Sequence, residues 1–294
     1  MSSLANITLA GSFMASLGVL LAGVLALAQR KFYVYEDPRI DQVEGMLPGT
    51  NCGACGTPGC RQFTLALLEG SKDPDECTVA TRDTAQAIAD FLGVAVGHHE
   101  KQVARLACAG GNHVARNSAV YKGLNTCRAA ALVAGGGKGC TWGCLGLGDC
   151  AQVCDLGAIT MDHNGLPVVN AELCTACGDC VTVCPKQLFS LQAISRQLWV
   201  ACNNQGFGSA EEAQCEVICN ACGRCVVDAP EGVIAIKNHL AVIDYTKNAL
   251  ASTLAIERCP TGAIVWLEND KVRKGRQAKK VLANTPLPLT AQNR

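Results

Sequence analysis

The sequence predicts an α+β chain that begins with an apolar helix, continues through a small helical module and ends in a duplicated unit of short strands and helices. Three observations predict it. Residues 7–28 form an uncharged apolar run, twenty cysteines recur at short repeated spacings through the rest, and two stretches of the C-terminal half match each other at their cysteines and hairpin residues. With 294 residues, 17% of them charged and 4% aromatic, the chain is long enough for two or three small domains and is not disordered. The formal net charge is zero, so charge alone names no partner.

The first element is a membrane anchor over residues 1–31. From Ile7 to Ala28 no residue is charged, and 22 residues of helix at about 1.5 Å each reach about 33 Å, enough to cross a bilayer core. Gly11, Ser12, Ala15, Ser16, Gly18, Ala22 and Gly23 place small residues along it, which lets a partner helix approach closely. A cleaved signal peptide is the rival, but Met1 to Asn6 carry no Lys or Arg for a positive leading region. The positive residues Arg30 and Lys31 follow the span, so the C-terminal side is expected in the cytoplasm, with the anchor in the cell (inner) membrane. That side also keeps the cysteines reduced.

A small module is expected over residues 32–82. Cys52-Gly-Ala-Cys55-Gly-Thr-Pro-Gly-Cys60 followed by Cys77 gives Cys-x2-Cys-x4-Cys-x16-Cys, which suits a cubane [4Fe–4S] cluster held by four thiolates. Gly53, Gly56 and Gly59 are expected to take positive φ and bring backbone amides to the sulfurs. Gln62 to Glu69 reads as a short helix carrying Phe63, Leu67 and Leu68. A closed four-cysteine zinc site is the structural alternative. Residues 83–139 read as a helical connector, with Ala85, Ile88, Ala89, Leu92 and Val96 on one face and His98-His99 as polar surface. The Ala134-Gly-Gly-Gly-Lys138-Gly139 run lacks the Gly-x4-Gly-Lys-Ser/Thr pattern and reads as a flexible turn rather than a phosphate loop.

Beyond it lie a two-cluster ferredoxin-like unit, 140–200, and a degenerate one-cluster copy, 201–268. Leu-Ala-Cys108 corresponds to Val-Ala-Cys202, Cys140-x3-Cys144 to Cys215-x3-Cys219, and Cys150 to Cys225. Gly157-Ala-Ile matches Gly232-Val-Ile, and Val168-Val169-Asn170 matches Val242-Ile243-Asp244, the second strand of a hairpin. In the run Cys174-x2-Cys177-x2-Cys180-x3-Cys184-Pro185, three thiolates share one loop and the fourth turns away to a neighbouring cluster. Cys174, Cys177 and Cys180 are therefore grouped with Cys154. Thiols at this spacing suit a shared centre better than separate disulfides, which belong to short secreted domains.

The other cluster of the first copy has Leu147 in place of its middle cysteine, so Cys144, Cys150 and Cys184 need a replacement, for which Cys140 is the nearest candidate. In the second copy Cys219, Cys222 and Cys225 are intact and Cys259, before Pro260, serves as their crossed ligand. Asn248, Ala251 and Leu254 fill the three slots of its second loop, and Ala229 fills the slot that would have served the lost cluster. Four clusters are thus assigned. Cys108, Cys127, Cys202 and Cys215 remain, either as a fifth set or as buried free thiols. Residues 269–294 read as a basic tail in which Lys271, Arg273, Lys274, Arg276, Lys279 and Lys280 are solvated or face an acidic redox partner or anionic lipid.

This order of anchor, Cys-x2-Cys-x4-Cys-x16-Cys module and ferredoxin-like tail resembles the B subunits of Rnf ion-translocating electron-transport complexes over nearly the whole chain. Pro48 to Cys60, Gly143-Cys144-Leu-Gly-Leu-Gly-Asp-Cys150 and the loop from Cys174 to Pro185 carry the resemblance; Asn248, Ala251 and Leu254 depart from a full complement of clusters. The first module alone is also similar to one in corrinoid iron–sulfur proteins. The resemblance implies a component of a ferredoxin:NAD⁺ oxidoreductase translocase that receives electrons from soluble ferredoxin. It would pass them to membrane partners while the complex moves Na⁺ or H⁺. The chain itself shows no flavin, nicotinamide, nucleic-acid or ion site and no nucleophile–base pair, so its own chemistry is one-electron transfer. A polyferredoxin component of a membrane hydrogenase or other reductase would share the tail without needing the first module. A tethered iron–sulfur sensor or zinc scaffold is the reading from another class, and it lacks an output domain here.

Overall fold

The computed structural model describes residues 2–32, 36–97, 100–268, 271–283 and 285–289; His98 and His99, read above as polar surface, lie outside them. Helix α1, Ser2–Phe32, is 31 residues and about 46 Å long. Between Gly11 and Phe32 it is long and apolar enough to cross a membrane, and none of that stretch is buried by the rest of the chain. The hydroxyls of Ser12 and Ser16 donate to Leu9 O and Phe13 O, at 3.0 and 2.9 Å, so these polar groups are satisfied inside the helix as lipid requires.

Helices α2 (Arg39–Met46), α3 (Cys60–Leu68) and α4 (Arg82–Leu92) form the first module around Val43, Leu47, Phe63, Leu67 and Ile88. Arg61 on α3 reaches Glu36, Asp41 and Glu44 at 2.5, 3.2 and 2.8 Å, fastening α3 to α2. Thr81 accepts from Thr84 N to cap α4, which stops at Gly93 in the left-handed region, φ 69°. The helical reading of the 83–139 connector therefore fails between Leu92 and Leu106. Residues Gln102–Leu106 are instead strand β1, because the left-handed Gly93 ends the helix and a distant strand supplies the backbone partners.

Downstream come α5 (Cys127–Leu132), α6 (Asp149–Gln152), β2 (Ile159–Met161), β3 (Pro167–Val169), α7 (Asp179–Val183) and β4 (Phe189–Ala193). β2 and β3 form an antiparallel hairpin with Ile159 opposite Val169, and β1 pairs antiparallel with β4 from Gln102↔Ala193 to Leu106↔Phe189. A segment read as connector thus completes this sheet. The chain continues through β5 (Leu198–Val200), α8 (Ser209–Glu212), α9 (Arg224–Asp228), β6 (Ile234–Lys237), β7 (Leu240–Ile243), α10 (Leu254–Glu257), β8 (Ile264–Glu268) and β9 (Lys271–Lys274). Here β6 and β7 form the inner hairpin while β5 pairs with β8, the same outer-with-outer and inner-with-inner arrangement.

Two loops are more fixed than expected. Residues 271–274 are not a loose tail but an edge strand on β8, and the segment folds back so that Arg273 and Arg276 each meet Glu257 at 3.0 Å and Lys279 meets Glu216 at 2.9 Å. The glycine-rich turn is equally ordered: Gly137 has φ 77° and packs where a Cβ would lie 2.5 Å from Ala119 O. Its Lys138 Nζ donates to Gly110 O and Cys144 O at 2.5 and 2.6 Å.

Candidate metal centres

The cluster loops share one backbone device. Two residues after the first cysteine of each loop, Gly146, Ala176 and Ala221 all have positive φ, at 76°, 58° and 52°. A left-handed residue there curls the chain so that successive N–H groups face inward, a concavity that receives negative sulfur. Each loop then passes a second left-handed glycine, Gly148, Gly178 or Gly223, before starting α6, α7 or α9. At Gly146 the need for glycine is steric as well, since a Cβ would sit 2.7 Å from Gly165 O. Gly146→Ala is therefore expected to cost the protein about four irons, one cubane, whereas Ala176→Gly, which eases a strained φ, is expected to keep all of them. Iron and acid-labile sulfide assays on the two variants check this.

Cavities gather the thiols in sets. Cys219, Cys222, Cys225 and Cys259 line one. Cys127, Cys144, Cys150 and Cys184 line a second. Cys154, Cys174, Cys177 and Cys180 line a wider one, which Cys52 of the first module also borders. In the first module Cys55, Cys60 and Cys77 pack together on the core of α2, α3 and α4, and Cys52 stands three residues before Cys55. None of the twenty cysteines is held in a disulfide. Among the described residues no three Cys, His, Asp or Glu side chains converge as one small ion requires. Thiolates around a single zinc lie about 3.8 Å apart, and a cubane, with four irons inside its thiolates, spreads them farther.

Burial sets the electrostatics. Desolvation pushes the thiol pKa up to about 12 at Cys144, Cys180 and Cys225 and to about 11 at Cys150. Such thiols stay protonated until a metal replaces the proton, so loading releases protons and supplies the positive charge that the buried sulfurs lack. Backbone donors already point at several sulfurs: Ala104 N at Cys174 Sγ, 3.4 Å, and Leu188 N at Cys184 Sγ, 3.5 Å.

Comparison with known proteins agrees with this chemistry. A family model for Fe-S cluster domains matches residues 47–79, and a 4Fe-4S binding domain matches residues 166–189. The B subunit of the Na(+)-translocating ferredoxin:NAD(+) oxidoreductase complex of Acetobacterium woodii is 40% identical over 247 residues, 84% of this chain and 74% of its own length. The B subunit of the ion-translocating oxidoreductase complex of Methanosarcina acetivorans is 37% identical over 252 residues, 85% of this chain and 95% of its own. The proton-translocating counterpart of Clostridium ljungdahlii is 36% identical over 253 residues, 85% and 89%. The chain belongs to this B-subunit family. It is an iron–sulfur protein.

Within this family member the structure departs from the spacing at three places. Cys140, expected to replace the thiol missing at Leu147, lines a different cavity, and Cys127 stands beside Cys144, Cys150 and Cys184 instead. The cause is Asp149, a buried residue of α6 whose carboxyl oxygens accept from Cys127 N at 2.7 Å and Arg128 N at 3.1 Å, docking the start of α5 onto the loop. The second departure is Gly59, whose φ of 174° is ordinary extended backbone. It is glycine because a Cβ would lie 2.9 Å from Asn51 Oδ1. The third is Asn51 itself, a residue that spacing does not single out. Its Oδ1 accepts from Cys60 N at 2.8 Å, which caps the first turn and starts α3 two residues earlier than expected.

Proposed function

We propose that electrons run along this chain from the C-terminal unit to the first module beside the apolar helix, through [4Fe–4S] clusters on successive cysteine sets. The protein is an iron–sulfur electron-transfer component of an Rnf-type complex. Four sets are assigned: Cys219, Cys222, Cys225 and Cys259; Cys127, Cys144, Cys150 and Cys184; Cys154, Cys174, Cys177 and Cys180; and Cys52, Cys55, Cys60 and Cys77. A bound cubane supplies one-electron chemistry, and this chain's N–H groups and burial set its potential. The repeated strand pairing supports reading 102–193 and 198–268 as two ferredoxin-like copies.

One observation carries the route. Cys52 of the first module lines the same cavity as Cys154, Cys174, Cys177 and Cys180, so the module next to α1 and the first ferredoxin-like unit bring their centres to a common space. The far end is the proposed place for electrons to arrive: Cys222 and Cys177 are both exposed, but the positive Arg224 follows Cys222 at the start of α9, where the acidic Asp179 follows Cys177 at the start of α7. Soluble ferredoxin is the proposed donor, other subunits of the complex are the acceptors, and the work done is Na⁺ or H⁺ transport coupled to NAD⁺ reduction. The anchor lies in the cell membrane among lipid and partner helices. Arg30 and Lys31 follow the apolar run, which supports a cytoplasmic location for everything beyond it.

The test is stopped-flow reduction of the anaerobic full-length protein by reduced ferredoxin. Cys222→Ser is expected to slow the reduction of all remaining clusters. The wild-type rate is expected to fall as ionic strength rises, since steering by exposed charges is screened within about 10 Å at 0.1 M salt. A rate indifferent to Cys222→Ser would place the arrival of electrons elsewhere and sink the direction proposed.

A further inference from the structure

The geometry points to a fifth iron–sulfur centre, held by Cys108, Cys140, Cys202 and Cys215 between the two ferredoxin-like copies and joining their clusters into one wire. This inference rests on the electron-transfer reading above and adds a site to it. These four thiols line a single cavity. The motif cysteines Cys219, Cys222, Cys225 and Cys259 line a cavity in the same way.

The site is built symmetrically from the duplication. Cys108 and Cys202 occupy matching places in the two copies, as do Cys140 and Cys215, so each copy contributes the same two ligands. The surroundings repeat as well. Cys108 Sγ accepts from Gly110 N at 3.4 Å and Cys144 N at 3.5 Å, while Cys202 Sγ accepts from Asn204 N at 3.5 Å and Cys219 N at 3.4 Å. In both copies the donors are the residue two places on and the first cysteine of the adjoining cluster loop. A fifth donor, Asn204 Nδ2, lies 3.2 Å from Cys140 Sγ, and Asn204 is only 1% exposed. Inert buried thiols have no need of five N–H groups aimed at three sulfurs; sulfurs carrying negative charge on a cluster do. Lys138 adds positive charge on the cavity wall, held there by Gly110 O and Cys144 O.

Position gives the centre its role. Cys144 belongs to the set at Cys127, Cys150 and Cys184, and Cys219 to the set at the C-terminal unit; the N–H of each touches a sulfur of the fifth site. Loading converts four thiols to thiolates with release of four protons. In turnover one electron passes in from the Cys219 side and one passes out to the Cys144 side, with no atom transferred.

The test is iron, zinc and acid-labile sulfide per chain, with low-temperature electron paramagnetic resonance of the reduced state, on full-length protein purified anaerobically, with Cys108→Ser and Cys202→Ser. The wild type is expected to hold about twenty irons, and each variant about sixteen, with the same single spectral component missing from both. A misfolded variant would instead lose the clusters of its own copy, so different missing components overturn the inference. About sixteen irons in the wild type also overturn it, whatever the variants do, and leave the four-cluster wire standing. Little iron and no sulfide would remove the electron-transfer reading as well.

Discussion

Cys127→Ser is expected to remove one cubane, about four irons per chain, and with it the spectral component of the Cys144, Cys150 and Cys184 site. Cys140→Ser is expected to leave that component in place and to remove another. Spacing along the chain gives the opposite expectation, since Cys140 is four residues from Cys144 and Cys127 is seventeen. What decides is the docking of α5: Asp149 takes both N–H groups at its first turn, and Thr126 Oγ1 accepts from Ala129 N at 3.2 Å. Asp149→Ala would leave two N–H groups without partners at roughly 1–3 kcal/mol each and free α5 from the loop, so it should lose the same component as Cys127→Ser. Asp149→Asn keeps one acceptor and should lose less. Spectra of the four variants, reduced under identical conditions, check the set; loss of the Cys144 component in Cys140→Ser alone would overturn it.

Removing iron is expected to unfold everything beyond α1. Each core is built on cysteines. Cys225 and Cys259 are buried with Leu198, Val233, Ile256 and Ile264 in one core, Cys150, Cys174 and Cys180 with Val103, Ile159 and Phe189 in another, and Cys55, Cys60 and Cys77 border Phe63 and Ile88 in the module. Metal binding free energy is then folding free energy, on the order of 10 kcal/mol per structural site by analogy with zinc modules. The strands are three to five residues long, too short to hold these cores closed by pairing alone. Anaerobic chelation should abolish protease resistance from residue 36 onward, while α1, whose backbone bonds are internal, keeps its helical circular dichroism in detergent. An iron-free protein with the protease pattern of the loaded one would show that the apolar contacts suffice.

Much of the candidate chemistry was legible because it is local. Three ligands of one loop lie within seven residues, so Cys174, Cys177 and Cys180, or Cys219, Cys222 and Cys225, face a common space for any chain that curls through a left-handed residue between the first two. The crossed cysteines Cys154 and Cys259 line the cavities that the repeated pattern gave them. The apolar run at the start reads as a helix from composition alone, because nothing in it needs a partner outside its own hydrogen bonds.

Spacings of a few residues were enough for the apolar N-terminal helix, the thiol-bearing loops and the two hairpins. Three features needed the packed molecule: that Gln102–Leu106 is a strand, that Cys127 rather than Cys140 joins the Cys144 set, and that Cys108, Cys140, Cys202 and Cys215 meet in one cavity. A strand whose partner lies 87 residues away, as Leu191 does from Ala104, and thiols as distant in sequence as Cys108 and Cys202 are fixed by long-range contacts and by single side chains such as Asp149. Linear spacing carries no record of which distant N–H group a carboxylate will hold.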